Sequence, residues 1–568
     1  MDRHDQAVAR IAAQVRGFHE RKEGFRIYHG STNSTRPCTF SADKMVDTSH
    51  LSHVLSVDRG TRTVVVEANV PMDVLVSATR AHGLLPPVVM EFPGITVGGG
   101  FAGTAGESSS FRHGFFDRTA NWVEMVLADG EVVRASAGER PDLFRGAAGT
   151  FGTLGVATLF ELRLVDARTY VHLTYRPVRS VAEAIAAIER ASEDETVDYI
   201  DGILYALDRG VVMTGRRTDG EDGVRVQGFR AAWDPWFYLH AEDMMTRCMS
   251  TPTMTPATEL IPVQDYLFRY DRGAFWTGKY AYEYFMTPLN ACTRWALDAF
   301  MHTRVMYHAL HESGLGEQYL IQDLALPVGK AEEFIRYVDA SLGVYPLWLC
   351  PLAPGAAVSM SPHSRPTVAS SRGPSASTST GTTTPHATTT LLNVGVWGPI
   401  LPIRTPCPLS HFVRTNRDLE RKVRELNGMK WLYATAYYTL DELWAIYDRE
   451  WYDALRRKYG AETLPSVFEK VCSSFDPSDL EETRDERGKM RGIRDILRST
   501  YPLAGVYGVR SSRHVEHARA DVDADDPPGS TDESARIEWD QPGAARQVQD
   551  GLTGLDVGPP DKLLLRDP

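Results

Sequence analysis

Residues 1–23 set Val8, Ile11, Ala12, Val15 and Phe18 at the spacing of one helix face, with Arg and Glu between them. An amphipathic helix is expected over 1–24. From Phe25 to Val165 the texture changes to short β-branched runs, such as Thr63-Val64-Val65-Val66-Glu67 and Val123-Glu124-Met125-Val126-Leu127, separated by glycine-containing turns. Residues 72–82 read as a helix between them. Asp129-Gly130 ahead of Glu131-Val132-Val133-Arg134 predicts a two-residue hairpin turn, because glycine takes the positive φ that such turns demand. Beyond Arg168 helix and strand patterns alternate again. Residues 181–191 read as a helix, and 203–206 and 211–214 as strands; helices return at 409–426 and 440–457.

Two stretches break this texture. Residues 354–390 are rich in Ser, Thr, Pro and Gly, and cannot bury enough apolar surface to offset the entropy of ordering them. Residues 511–568 turn acidic and rich in Pro and Gly, as in Asp521-Val522-Asp523-Ala524-Asp525-Asp526-Pro527-Pro528. The expected organisation is therefore an N-terminal helix over 1–24, an α+β domain over 25–167 and a second α+β domain over 168–475. The second domain carries a disordered insertion at 354–390 and is followed by an extension over 476–510 and a disordered acidic tail over 511–568. No internal repeat of fixed period is present.

The chain has 568 residues, 43% hydrophobic and 24% charged, which excludes collagen-like, coiled-coil and wholly disordered proteins. With 61 Lys and Arg against 74 Asp and Glu, the net charge of −13 has the wrong sign for binding nucleic acid. Six cysteines, Cys38, Cys248, Cys292, Cys350, Cys407 and Cys472, are scattered with no paired spacing. Neither a metal site nor a disulfide framework is expected, and a reducing compartment fits best. No stretch approaches the roughly 20 consecutive apolar residues of a membrane span, and residues 1–23 are too charged for a signal peptide.

The most informative passage is Glu91-Phe92-Pro93-Gly94-Ile95-Thr96-Val97-Gly98-Gly99-Gly100-Phe101-Ala102-Gly103-Thr104-Ala105-Gly106-Glu107-Ser108-Ser109-Ser110. Glycine at this density lets the main chain approach a ligand closely and turns successive N–H groups toward one point, as a pyrophosphate requires. A loop that only makes tight turns has the same composition. The passage lacks the acidic residue about 20 positions on that marks a nicotinamide fingerprint, and it lacks a Gly-Lys-Ser/Thr ending. His29-Gly30-Ser31-Thr32-Asn33-Ser34 and Gly146-Ala147-Ala148-Gly149-Thr150-Phe151-Gly152-Thr153-Leu154-Gly155 add two more small-residue loops. Three such loops in one domain point to a long cofactor threaded through it.

These passages carry a resemblance. Residues 25–165 resemble the FAD-binding domain of the vanillyl-alcohol-oxidase superfamily, the p-cresol-methylhydroxylase (PCMH) type, a two-subdomain fold followed by an α+β cap domain. The span to about Cys472 is similar to the delta(24)-sterol reductase family. The motifs are Gly94-Ile95-Thr96-Val97-Gly98-Gly99, Glu107-Ser108-Ser109-Ser110 with Gly114, Glu124-Met125-Val126-Leu127-Ala128-Asp129-Gly130 and Gly152-Thr153-Leu154-Gly155. Further motifs are Val212-Met213-Thr214-Gly215, Gln322-Asp323, Val344-Tyr345-Pro346-Leu347-Trp348-Leu349-Cys350-Pro351 and Leu432-Tyr433-Ala434.

The resemblance implies an enzyme that binds FAD, takes hydride from NADPH and reduces the double bond between carbons 24 and 25 of a sterol side chain. It implies FAD contact by Thr96, Val97, Gly98, Gly99, Gly100, Phe101, Ala102, Gly103, Thr104, Ala105, Gly106, Glu107 and Ser108, with Gly149, Gly152 and Gly155. Members of the superfamily often tether FAD through His or Cys, but the matching positions here, Gly30-Ser31-Thr32-Asn33 and Gly103-Thr104-Ala105-Gly106-Glu107, offer none, so non-covalent FAD is expected. The family also implies an endoplasmic reticulum anchor that this chain does not display at its start, leaving a cytoplasmic or peripherally membrane-associated protein.

An unactivated alkene needs a proton as well as a hydride. Candidate donors are Glu107, Tyr282, Glu283, Asp323, Tyr433, Tyr437 and Tyr438, each also readable as core or surface, and the sequence singles out none. Aromatic residues are dense from Trp233 to Phe285, as a core or a sterol pocket would be. Two rival functions share the cofactor domain or the fold: a flavin oxidase acting on an alcohol, lactone or sugar with oxygen, and a sterol-binding protein without turnover. Nothing in the sequence fixes the oligomeric state.

Overall fold

The computed structural model describes residues 2–30, 41, 43–313, 315–353, 355, 359, 360, 390–405, 407–473 and 505. Most of the 354–390 insertion, the 476–510 extension apart from Gly505, the 511–568 tail, Cys38 and residues 31–34 lie outside these. The fold is α+β, as expected.

The apolar face of helix Asp2–Arg21 is buried at each position its spacing marks, from Val8 to Phe18. It packs on strands Met45–Asp47 and Ala120–Val126. The second of these belongs to a five-stranded antiparallel sheet ordered Val54–Asp58, Thr63–Glu67, Val156–Arg163, Ala120–Val126 and Val132–Ser136. The turn after Ala120–Val126 differs from the expected two-residue form. Leu127 N–H donates to Glu131 C=O at 2.8 Å and Gly130 N–H to Leu127 C=O at 2.9 Å, which leaves a three-residue loop with Gly130 at φ +85°. Glycine is still required, but as the left-handed residue of a bulged turn.

His4 pins the N-terminal helix to this sheet. Its ring lies 2.8 Å from Glu67 Oε1 through Nδ1 and 3.1 Å from Glu124 Oε1 through Nε2. Burial alone would lower the imidazole pKa, but the two carboxylates outweigh it and hold it at about 9. Both carboxylates are held below their usual range despite burial, by hydrogen bonds from His4 and their other partners. The clamp's histidine contribution is complete below about pH 6.5 and is lost as pH rises through about 9; the carboxylate contribution is lost as pH falls below about 4.5. His4→Gln should therefore destabilise the fold by about 1–3 kcal/mol at pH 6, after allowance for screening. The gap to the wild type should close by pH 10 in urea titrations. A gap independent of pH would refute the clamp.

An eight-stranded antiparallel sheet follows, ordered Ala257–Pro262, Tyr170–Val178, Arg209–Thr218, Tyr199–Ala206, Leu347–Leu352, Leu391–Pro399, Tyr319–Pro327 and Met429–Lys430. Its central strands read Leu-Trp-Leu-Cys-Pro-Leu and Leu-Leu-Asn-Val-Gly-Val-Trp-Gly-Pro, near-continuous apolar runs, because both faces are covered. Alternation sorts the side chains. Leu347, Leu349, Val394, Val396, Leu320 and Leu324 meet helices Val181–Glu193, Val328–Leu342 and Leu409–Glu425 on one face. Trp348, Cys350, Asp323, Asn393, Trp397 and Asp201 stand on the other, toward residues 91–107.

The helix expected over 440–457 is two helices, Leu440–Ile446 and Arg449–Lys458. Tyr447 is extended at φ −108°, ψ 157°, and the Asp448 carboxylate accepts the Trp451 N–H at 3.0 Å, starting a new helix. A capping aspartate inside an apolar-periodic run is the physical cause of the break. Among the described residues no helix is long and apolar enough to cross a membrane.

Candidate functional site

Thr96 starts a short helix, Val97–Gly103, by accepting the Gly99 N–H on its hydroxyl at 3.1 Å. Val97 and Phe101 are buried and anchor it. The helix lies hard against the strand end below: Val97 N–H donates to Val70 C=O at 3.0 Å, and Gly98 N–H to Ala68 C=O at 2.7 Å. A Cβ on Gly98 would lie 3.0 Å from that same oxygen, and one on Gly100 would collide with Met90 and come 3.1 Å from Phe116. A Cβ on Gly103 would meet nothing within 4 Å. The glycines thus serve two ends: close packing at 98 and 100, and bare backbone facing open space at 103.

That space is a cavity of about 330 Å³ between this segment and the eight-stranded sheet. Of the expected contact residues, Thr96, Gly98, Gly99, Gly100, Phe101, Ala102, Gly103, Ala105, Gly106, Glu107, Gly152 and Gly155 line it. Val97 points into the core, and Thr104 turns its carbonyl to the Trp431 indole N–H at 2.9 Å. Ser108 C=O accepts the Ile200 N–H at 2.8 Å, and Gly149 backs onto the Met360 main chain. The expectation that N–H groups of the whole loop converge on one ligand needs revision. Those of residues 97–100 are satisfied within the protein.

The two ends of the cavity differ. One is lined by Gly152, His29 and Lys470, whose ammonium donates to Phe151 C=O at 2.6 Å. The other is acidic and aromatic. Asp323 accepts the Tyr433 hydroxyl at 2.7 Å and the Asn393 amide at 3.0 Å. Burial raises the Asp323 pKa, while these hydrogen bonds pull it back toward the anion. Glu91 is raised to about 7 by burial, against the pull of Arg269, which lies 2.8 Å away. Glu107 is raised well above the usual range, by burial first and then by the charges of Glu91 and Asp323. These surroundings favour the protonated form of Glu107 in the cavity wall.

Behind the wall, Arg269 is 1% exposed and bridges Glu91 to Asp201, 2.9 Å away. The Tyr270 hydroxyl also donates to Asp201, at 2.8 Å, and the guanidinium stacks 4.1 Å from the Tyr266 ring centroid. No sequence motif marks this set. Its signal was a charged residue inside an apolar strand, as in Tyr-Ile-Asp201-Gly-Ile-Leu and Leu-Ile-Gln-Asp323-Leu-Ala-Leu.

Residues 6–136 match the FAD binding domain family, a span that contains the whole glycine-rich segment. The human delta(24)-sterol reductase is 28% identical over 481 residues, 83% of this chain and 87% of the relative. A Caenorhabditis elegans homologue is 26% identical over 472 residues, 79% and 81% of the two chains, and the Arabidopsis thaliana delta(24)-sterol reductase 29% over 330 residues, 54% and 56%. The chain is thus similar to delta(24)-sterol reductases over most of its length and carries an FAD binding domain.

The structure divides the expected proton donors. Glu107, Asp323 and Tyr433 meet on the cavity. Tyr282 donates to Thr293 C=O at 2.9 Å and packs on Trp236, while Glu283 is exposed. Tyr437 packs on Phe412, and Tyr438 joins a separate cluster with Leu443 and Tyr452. These four are structural or solvated groups.

Proposed function

We propose that this protein is an FAD-dependent oxidoreductase that reduces the double bond between carbons 24 and 25 of a sterol side chain, with NADPH as hydride source. In this reading residues 25–167 form the two-subdomain PCMH-type FAD-binding domain and 168–475 the cap. The observation that carries it is a single cavity with bare glycine backbone on one wall and a buried acid cluster on the other, in a chain similar to delta(24)-sterol reductases over most of its length.

The residues present fit the group. Gly99, Ala102 and Gly103 leave room for a flat ring system, and Lys470 supplies positive charge for the diphosphate at the far end. No His or Cys occupies Gly103 to Glu107, so the cofactor is held without a covalent link. When bound, FAD supplies the hydride for one alkene carbon and is recharged by NADPH. Glu107 holds the proton for the other carbon, and Asp323 fixes Tyr433 and Asn393 beside it. Trp348 and Trp397 exclude water from that end. Exposed Phe285, Met286 and Trp295 supply apolar surface for peripheral contact with the endoplasmic reticulum membrane, the source of a sterol.

Purified protein should be yellow, should release its flavin on denaturation, and should bleach with NADPH under anaerobic conditions. Adding a sterol with the side-chain alkene should restore the colour and give a product two hydrogens heavier. Peroxide release from an alcohol substrate, without NADPH consumption, would mark an oxidase instead. Sterol binding by a protein that stays colourless when supplied with FAD would mark a non-catalytic binder.

A further inference from the structure

A second cavity of about 120 Å³ adjoins the first, and Tyr307 and Trp397 line both. Its walls come from helices Thr277–Tyr284 and Thr303–Ser313 and from strand Tyr319–Pro327. Ala281, Val305, Ala309, Leu310 and Ile321 give it an apolar lining, and among the described residues no charged side chain takes part. Its Thr277 and Ser313 hydroxyls are spent on Ala274 C=O at 2.8 Å and Leu310 C=O at 3.2 Å. A chamber whose described lining holds no cation does not suit the phosphates of a nucleotide. It suits a hydrocarbon body.

The strand ties the chamber to the acids. Side chains two apart share a face, so Tyr319, Ile321 and Asp323 form one row along Tyr319–Pro327. Tyr319 and Ile321 line the second cavity, and Asp323 lines the first. At about 3.4 Å per residue the row spans about 14 Å from Tyr319 to Asp323. The Trp397 position pairs with Ile321 across the sheet and marks the threshold between the chambers. Phe285, 36% exposed, lines the outer chamber together with Gly505, and Met286 next to Phe285 is 66% exposed.

We infer that the second chamber receives the fused-ring body of the sterol, and that the side chain passes between Tyr307 and Trp397 to bring its alkene to Glu107 and Asp323. This rests on the reductase reading above and adds to it a separate site for the part of the substrate that does not react. Ala281 and Ala309 are the positions that leave room for the rings.

The test uses the full-length flavoprotein and Ala309→Phe, with Ala281→Leu as a milder filling of the same chamber. The probe is a 3β-hydroxysterol with a double bond between carbons 24 and 25, followed by quenching of tryptophan fluorescence and by turnover. A ringless trisubstituted alkene serves as the control. The Kd for the sterol should rise at least about tenfold in Ala309→Phe and about threefold in Ala281→Leu. FAD content, bleaching by NADPH and turnover of the ringless alkene should stay at wild-type levels. If Ala309→Phe sheds its flavin, Ala281→Leu decides. Sterol affinity equal to wild type in a variant that retains flavin would overturn the inference. Lost sterol binding in the variants, with no alkene reduced even by the wild type, would support the chamber and sink the reductase reading.

Discussion

Replacing Arg269 by methionine should cost about 3–5 kcal/mol of folding free energy, the largest loss expected from any single substitution outside the apolar core. Methionine fills much of the space of the arginine stem but leaves Glu91 and Asp201 facing each other without the guanidinium that lies 2.8 and 2.9 Å from them. It also removes a donor to Tyr266 C=O at 2.9 Å and the cation above the Tyr266 and Tyr270 rings. The deficit should depend on pH with a definite sign. Burial raises the Glu91 carboxyl from 4.5 to about 7, so its charge lowers stability as pH rises from about 4.5 to 7. Without Arg269 the carboxyl is raised further, and the variant should lose most at pH 8 and recover part of the loss by pH 5. Urea titrations at the two pH values measure this. A deficit below about 1 kcal/mol at pH 8 would mean that the buried charges are not balanced by Arg269.

The network at stake is the part of the molecule that linear patterns conceal. Periodicity locates the N-terminal helix, strand Thr63–Glu67 and helix Val181–Glu193 because each is decided by neighbours three or four residues away, or two. The glycine segment is legible for the same reason: close approach of main chain is written in local composition. The acid cluster is assembled across long separations. Arg269 and Glu91 are 178 positions apart, and Tyr433 and Asp323 are 110 apart. The order and register of the eight-stranded sheet bring Asp201, Asp323 and Asn393 to one face, and no window of the sequence contains that register. What the sequence does contain is the anomaly of Asp201, Asp323 and Asn393 inside apolar strands, where an unpaired polar group is costly enough to demand a partner or a task.

Glu107→Gln should lower sterol turnover by about 10²–10⁴-fold, the range general acid catalysis contributes. Two carboxyls, Glu107 and Asp323, reach the cavity near its aromatic end; burial raises both, and their polar neighbours differ. Asp323 accepts hydrogen bonds from Tyr433 and Asn393, which favour its anion. Glu107 faces burial and two neighbouring carboxylates, which favour its neutral form. Glutamine keeps the shape and neutrality of that group but has no proton to give. FAD content and bleaching by NADPH should therefore be unchanged, and only the sterol-dependent return of colour should slow. The pH profile separates this from a packing effect. An acid must be protonated to act, so wild-type turnover should hold at low pH and fall as pH rises through the elevated Glu107 pKa. The variant, with no carboxyl at this position, should lose that limb. Asp323→Asn should slow turnover less and keep the limb, since it disturbs the placement of Tyr433 without removing the proton. Sterol turnover in Glu107→Gln within about threefold of wild type, with the alkaline limb retained, would assign the proton to another group or to water.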